Sequence, residues 1–376
     1  MQRIDHPLLS GSLGSQKTLS SFHFGKPGSG LKIYIEASLH AEELPGMLVA
    51  HHLHTQLEAA EAAGLIQGEI VLVPVANPIG LAQRLDHKPM GRFELDTSEN
   101  FNRHYPNLAA AVAPTVLNAL GGDAAVNVRL VRHAIGNYLQ AWQPDTELHS
   151  LRRRLLLLAH DADYMLDLHC DCEGVLHFYT EEPCWPQLAP LAHFLGSRAI
   201  LLAKNSGNLP IDECLSCVWW QLAEQIKAAG RHVPLPQGCS SCTIELRGEL
   251  DVSHAWAQRD AQAIVNWLQF IRVLDCETVP VVPAARCAAT PLAGSETLRA
   301  GTPGIVVFAI EPGQRVQQGD LVAEIIDPIA RHTEPVLAGV DGVFYARIRD
   351  RYITTGGELG KIAGALAFRS GPLLGA

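Results

Sequence analysis

At 376 residues, with 47% apolar and 18% charged side chains, the chain is long enough for one large domain and a smaller one, and too apolar to be disordered. Its 29 basic against 39 acidic residues, net −10, leave no electrostatic footprint for a polyanion, so nucleic acid is not an expected partner. Met1 to Ser15 lacks the apolar stretch of a secretory signal, and aliphatic runs such as Leu108 to Ala113 and Leu155 to Ala159 are too short to span a bilayer. A cytoplasmic protein with no membrane contact is expected.

In chain order, Leu31 to Leu39 reads as a buried strand, and Pro45, suited to a first helical turn, opens a helix to about Ala63. Ile70 to Val75 is a second strand closed by Asn77-Pro78. Gly80 to Pro106 has no clean period and reads as a functional loop region. Helices follow over Ala124 to Trp142 and Thr146 to Ala162, then strands Tyr164 to His169 and Val175 to Tyr179. A helix at Gln187 to Leu195, a strand at Ala199 to Ala203, a helix at Asp212 to Ala229, a strand at Cys242 to Leu246 and a helix at Ser253 to Val273 continue the alternation. Strands alternating with helices predict an α/β fold, a mixed and mostly parallel sheet flanked by helices, over residues 1–278.

After Thr278 the texture changes to short β-like runs punctuated by glycine. Gly304-Ile305-Val306-Val307 precedes Gly319 by the same fifteen-residue step that separates Gly342-Val343-Phe344-Tyr345 from Gly357. This internal repeat predicts a smaller all-β domain over 279–376. It resembles the barrel-sandwich domains of the biotinyl and lipoyl type, but the segment Asp327 to Pro335 holds no lysine on which a swinging arm could be mounted. A carrier is therefore disfavoured against a structural or pocket-closing domain.

The chemistry begins at Ala37-Ser38-Leu39-His40-Ala41-Glu42-Glu43-Leu44-Pro45-Gly46, a strand-to-helix junction of the kind at which ligands sit in α/β folds. Alone, His40 and Glu43 mean little: with 17 histidines and glutamate at about 6%, roughly one H-x-x-E arises by chance, and acidic residues at a helix start are favoured by its dipole. Asp167-Leu168-His169 changes the weight. His40, Glu43 and His169 form a two-histidine, one-carboxylate set with room for water, as in catalytic zinc sites, whereas a structural zinc needs a closed four-ligand shell. Period two puts Asp167 on the face of His169, although orienting the imidazole from there would need a favourable local turn. Glu42 is expected to face away.

A metal-activated water needs a proton acceptor. Glu245 in Thr243-Ile244-Glu245-Leu246-Arg247 is the candidate general base; the alternative, a surface glutamate, fits an apolar strand end poorly. Asn102-Arg103 offers a planar fork and an adjacent donor suited to a substrate carboxylate.

These residues, H-A-E-E-L-P-G, the Asn102-Arg103 pair, D-L-H and T-I-E, occur in the order found in the succinylglutamate desuccinylase and aspartoacylase family, which the sequence resembles over about Leu31 to Arg247 and which is itself similar to the zinc carboxypeptidases. The resemblance implies one Zn2+ per chain on His40, Glu43 and His169, Glu245 as the base, and Asn102 with Arg103 on the substrate carboxylate. It also implies a further arginine that polarises the scissile carbonyl, for which Arg92 is the first choice and Arg84 the second, and a tyrosine from the second domain, for which Tyr345 is the choice. The expected activity is zinc-dependent amidohydrolysis of an N-acyl amino acid or related small amide. A carboxypeptidase-like peptidase acting on a short peptide is the alternative, a non-catalytic zinc-binding module a third; self-association is left open.

The nine cysteines are expected as reduced thiols. Cys214-x-x-Cys217 and Cys239-x-x-Cys242 come near four-cysteine zinc spacing, but the first pair falls on a predicted helix, so buried free thiols are preferred.

Overall fold

The computed structural model describes residues 1–375. A nine-stranded sheet runs in the order Gln2–Pro7, Thr18–Gly25, Glu69–Val73, Lys32–Ala37, Tyr164–Asp171, Ser240–Gly248, Leu176–Glu181, Ala199–Ala203, Ala289–Pro291. Five of its eight pairings are parallel. The central strands, such as Lys32–Ala37 and Glu69–Val73, are buried almost throughout. That burial explains why their sequences are continuous apolar runs rather than alternating ones.

Helices cover both faces. Pro45–Ala62, Trp185–Leu195 and His254–Phe270 bury one apolar cluster against the sheet, while Leu108–Val116, Ala124–Ala141, Glu147–Ala159 and Ile211–Ala228 bury the other. Their starts follow local chemistry: Asn107, Asp123, Thr146 and Ser253 each accept a hydrogen bond from the backbone N–H three residues on, and Pro45 occupies a first-turn position.

The sequence reading located every core strand of this sheet but not the N-terminal hairpin Gln2–Pro7 with Thr18–Gly25, nor the helix Leu108–Val116. The hairpin's outer strand is largely exposed and carries no apolar face to betray it. The helix hides in a short aliphatic run interrupted by Pro114. Among the described residues no helix is long and apolar enough to cross a membrane.

The C-terminal region is a pair of packed antiparallel sheets, and its symmetry is the repeat read from the glycines. Gly304–Phe308 pairs with Leu321–Asp327 in one sheet, and Gly342–Arg347 with Glu358–Gly364 in the other. Each half lends its short middle strand to the opposite sheet: Arg315–Val316 joins Gly342–Arg347, and Tyr352–Ile353 joins Gly304–Phe308. The equivalent glycines Gly304 and Gly342 both lie where a Cβ would come within 2.5 Å and 2.4 Å of a facing carbonyl oxygen, which explains their recurrence at matching positions.

This β unit is docked on the carboxyl end of the large sheet. Glu173–Gly174 adds to the edge of Gly342–Arg347, Arg347 and Arg351 both pair with Glu173, and Tyr345, Ala346 and Leu292 pack on Val175, Tyr179 and Leu201. The chain after Thr278 first returns to the large sheet through Ala289–Pro291, so the strands of the β unit begin only at Ser295.

Candidate active site

The Lys32–Ala37 strand ends in a turn built by Ser38, whose positive φ of 59° is rare for a buried non-glycine residue. Its hydroxyl donates to the Glu43 carbonyl at 2.7 Å and so closes the loop that carries His40. Gly46 then lets the helix start lie directly on the neighbouring strand, since a Cβ there would sit 2.9 Å from the Leu168 carbonyl. The motif's serine and glycine thus hold the junction against the strand Tyr164–Asp171, which carries His169 near its end.

The Nδ1 of His40 lies 2.9 Å from Glu43 Oε1, and the Nδ1 of His169 lies 2.8 Å from Glu43 Oε2. The far nitrogens are fixed from outside, His40 Nε2 by Asn100 Oδ1 at 2.9 Å and His169 Nε2 by Asp167 Oδ2 at 2.7 Å. Two imidazoles thereby turn the same ring nitrogen toward one carboxylate, with their outer nitrogens anchored, which is how histidine ligands of a metal are oriented. Among the described residues this is the only cluster of metal-type donor atoms gathered within 4.8 Å of one another. Burial, then Arg92, hold the His40 pKa down to about 3, so its ring is neutral and has a lone pair to give. Burial works against charge on His169 as well, but the Asp167 and Glu43 carboxylates outweigh it and hold its pKa well above the ordinary value. The pocket between these groups therefore favours positive charge, and the donor set fits zinc.

Asp167 reaches His169 from two residues away within a regular strand. The expectation that this would need a local turn is corrected: side chains two apart share a face of the pleat, and Asp167 is short enough to meet the imidazole edge.

Glu245 stands on the neighbouring parallel strand in register with His169, and the strand bulges between Glu245 and Gly248, with Arg247 at φ 71°. A bulge at this point re-aims the side chains at the rim of the sheet. Burial and the Glu43 carboxylate push the Glu245 pKa up to about 8, and its Oε2 is buried without a hydrogen-bond partner. Arg92 Nη2 donates to Glu43 Oε1 at 2.8 Å. Asn102 is buried: its amide nitrogen donates to Asp167 Oδ2 at 3.2 Å and lies 3.3 Å from His169 Nε2, and its oxygen accepts from Ile211 N. Arg103 donates to the carbonyls of Asn102 and Gly375 at 2.8 Å each and forms no ion pair among the described residues. Tyr345 reaches the same space from the β unit, its hydroxyl 2.9 Å from Ser295 Oγ and 3.4 Å from Tyr179.

His40, His169, Arg92, Asn102, Arg103, Glu245 and Tyr345 line one cavity of about 400 Å³ between the large sheet and the β unit, together with Glu181, Asp212, Glu213 and Lys361. The structure does not bring Arg84 there: it lies in the exposed hairpin Arg84–Leu85 with Lys88–Pro89. Glu42 lies outside the cavity, 3.9 Å from Arg92 Nε. Asn100 was overlooked, although it shares the E-N-F-N-R stretch with Asn102. Lys361, paired with Asp171 at 2.7 Å, left no sequence signal because its partner lies 190 positions away. The nine cysteines are free; Cys217 donates to Glu181 at 2.9 Å and Cys214 to the Pro106 carbonyl at 3.2 Å, so the four-cysteine site is not formed.

Burial, then the Asp212 carboxylate, raise the pKa of Glu213 to about 8, and burial chiefly raises Glu181 to about 7. A carboxyl group raised in the folded state favours folding in full below its ordinary value of 4.5, and the advantage is lost as pH climbs toward the folded value. The metal-free wild type should therefore lose thermal stability between pH 5 and pH 8 relative to Glu213→Gln, a widening Tm gap that differential scanning calorimetry would show. A constant gap would place the protonation elsewhere.

Fold and site together define an α/β protein with a mixed, mostly parallel sheet, an appended pair of antiparallel sheets and a candidate metal site between them. Residues 29–125, which carry His40, Glu43, Arg92, Asn102 and Arg103, match the model of the succinylglutamate desuccinylase/aspartoacylase catalytic domain, and the resemblance read from the motifs holds. No curated protein matches the chain. Two solved structures assigned to this family are similar over nearly the whole length. The one from Shewanella frigidimarina NCIMB 400 is 25% identical at a TM-score of 0.83, covering 96% of this chain and 97% of its own. The one from Shewanella amazonensis SB2B is 26% identical, also at 0.83, covering 96% and 98%. The product-bound ectoine utilization protein EutE (DoeB) of Ruegeria pomeroyi shares the fold at 15% identity and a TM-score of 0.65, over 96% of this chain and 93% of its own.

Proposed function

We propose that the protein is a zinc-dependent amidohydrolase that removes the acyl group from an N-acyl amino acid or related small carboxylate-bearing amide. The observation that carries this reading is the convergence of His40 and His169 on Glu43 in one cavity with Glu245, Arg92 and the Asn102-Arg103 pair. His40, Glu43 and His169 would hold a single zinc ion, which when bound supplies a Lewis acid that polarises the scissile carbonyl and acidifies water.

The residues of the chain supply the rest. Glu245 takes one proton from the attacking water as the new C–O bond forms at the amide carbon. The C–N bond then breaks, and Glu245 returns that proton to the departing nitrogen. Burial and the Glu43 carboxylate make Glu245 hold a proton more firmly than an ordinary glutamate, which suits its role in carrying that proton to the departing nitrogen. Arg92, beside Glu43, would steady the carbonyl oxygen as it gains charge. Arg103, turning its fork from the carbonyls of Asn102 and Gly375, takes the substrate carboxylate together with Asn102. Tyr345 closes the cavity from the β unit.

The test is hydrolysis, by zinc-loaded protein, of a panel of N-acetyl and N-succinyl amino acids alongside dipeptides. Release of free amino acid from the N-acyl compounds with little cleavage of dipeptides supports the reading. Preferential cleavage of dipeptides would make the protein a peptidase, and no turnover of either would leave it a binding module.

A further inference from the structure

We propose that the wall of the cavity formed by Asp212, Glu213 and Glu181 is a subsite for an organic cation, an ammonium or guanidinium group on the side chain of the amino acid that is released. The proposal rests on the hydrolase reading and adds the substrate class: an N-acylated basic amino acid.

The three carboxyl groups come from two elements. Asp212 and Glu213 open the helix Ile211–Ala228, and Glu181 ends the strand Leu176–Glu181. All three line the cavity that holds His40, His169 and Glu245, with only 6%, 6% and 2% of their surface exposed. Burying carboxylates at this density is costly unless each is paired. Two are not fully paired. Glu213 Oε1 accepts from Ser206 N at 2.8 Å while its Oε2 has no partner. Asp212 Oδ2 accepts from Thr243 Oγ1 at 3.0 Å while its Oδ1 has none. Glu181 is held by Trp220 Nε1 at 2.8 Å and by Cys217, neither of which brings charge.

A helix dipole accounts for acidic residues in a first turn, but not for buried acceptor oxygens without donors, nor for a third carboxyl group from another element. No lysine or arginine pairs with any of the three among the described residues, although Arg103 lies within their field with its fork turned to backbone carbonyls. On the β-unit side of the same cavity Lys361 pairs with Asp171 and Arg347 with Glu173, and Arg369 donates to the carbonyls of Ser295 and Leu373, so no cation there is turned to the acidic wall. Without a cation Glu213 and Glu181 hold protons in its place, and a group bringing positively charged N–H donors to the acidic wall would take over from them. A metal ion does not fit it, because only His40, Glu43 and His169 bring donor atoms within 4.8 Å of one another among the described residues. A group with several N–H donors on a flexible stem does.

With Arg103 reading a carboxylate and the acidic wall reading a side-chain cation, the leaving amino acid is zwitterionic and basic. This departs from the acidic amino acid in the name succinylglutamate desuccinylase, the family that residues 29–125 match.

The test compares ornithine with norleucine, which replaces the terminal ammonium by a methyl group. Binding of both free amino acids to the zinc-loaded protein is measured by calorimetry, and turnover of their Nα-acetyl derivatives in parallel, for wild type, Glu213→Gln and Asp212→Asn. Ornithine should bind about tenfold or more tightly than norleucine, the range of a charge-assisted hydrogen bond. Glu213→Gln should remove that advantage while leaving norleucine binding unchanged. Equal binding of the two, no binding of ornithine, or an advantage that survives both substitutions would overturn the subsite. Turnover without preference for the ornithine derivative would also overturn it and leave the hydrolase standing. Preferred binding of ornithine without turnover of either derivative would sustain the subsite while sinking the hydrolase.

Discussion

Glu245→Gln is expected to lower kcat by about 10³-fold while leaving the zinc content of the protein unchanged, within the 10²–10⁴-fold range of general acid–base catalysis. The substitution keeps the size and one acceptor oxygen of the side chain but removes its ability to take a proton. The residue stands next to His169 across a parallel strand pair, yet it is not among the donors that converge on Glu43, so proton transfer and metal retention separate cleanly. Single-turnover kinetics and elemental analysis on the same preparation would check this. A loss of less than tenfold would move the proton acceptor to another group.

His169→Ala should abolish both metal retention and activity. It removes one donor, and it strands Asp167, which is wholly buried and whose Oδ2 faces the imidazole at 2.7 Å. Leaving a buried carboxylate without its charged partner, with only the Asn102 amide at 3.2 Å, adds a stability penalty of up to roughly 3–5 kcal/mol, so a Tm drop is expected alongside the lost metal. Asp167→Asn is the informative companion. It keeps an acceptor oxygen for the ring but removes the negative charge behind the hydrogen bond, and outer partners of this kind change metal affinity about 10–100-fold. The expected order of zinc affinity is wild type, then Asp167→Asn, then His169→Ala, as competitive chelator titration would show. Equal affinity in wild type and His169→Ala would remove the residue from the site.

What could be read before the structure was governed by how local each signal is. His40 with Glu43, His169 and Glu245 sit at ends of buried strands, where an apolar run stops abruptly at a polar residue, and that contrast is visible in one dimension. The paired halves of the β unit were legible for a similar reason: Gly304 and Gly342 face carbonyl oxygens that leave no room for a side chain. The stretch Gly80 to Pro106 has no period, so nothing local distinguished Arg84, on an exposed hairpin, from Arg92, which reaches Glu43. Asp212 and Glu213 read as ordinary residues of a helix start. Only the fold brings Glu181 beside them and leaves their outer oxygens without donors. The docking of the β unit through Glu173, Arg347 and Arg351 spans more than 170 positions and had no local trace.

The central claim is that hydrolysis depends on one metal ion held by His40, Glu43 and His169. The most direct measurement is to strip the protein with a chelator and follow release of free amino acid from an N-acyl substrate while zinc is added back. Activity should be absent at the start, rise linearly, and stop rising at one equivalent of zinc per chain, with Glu43→Ala showing no such rise. Full activity in the stripped protein, or a rise unaffected by Glu43→Ala, would contradict the account.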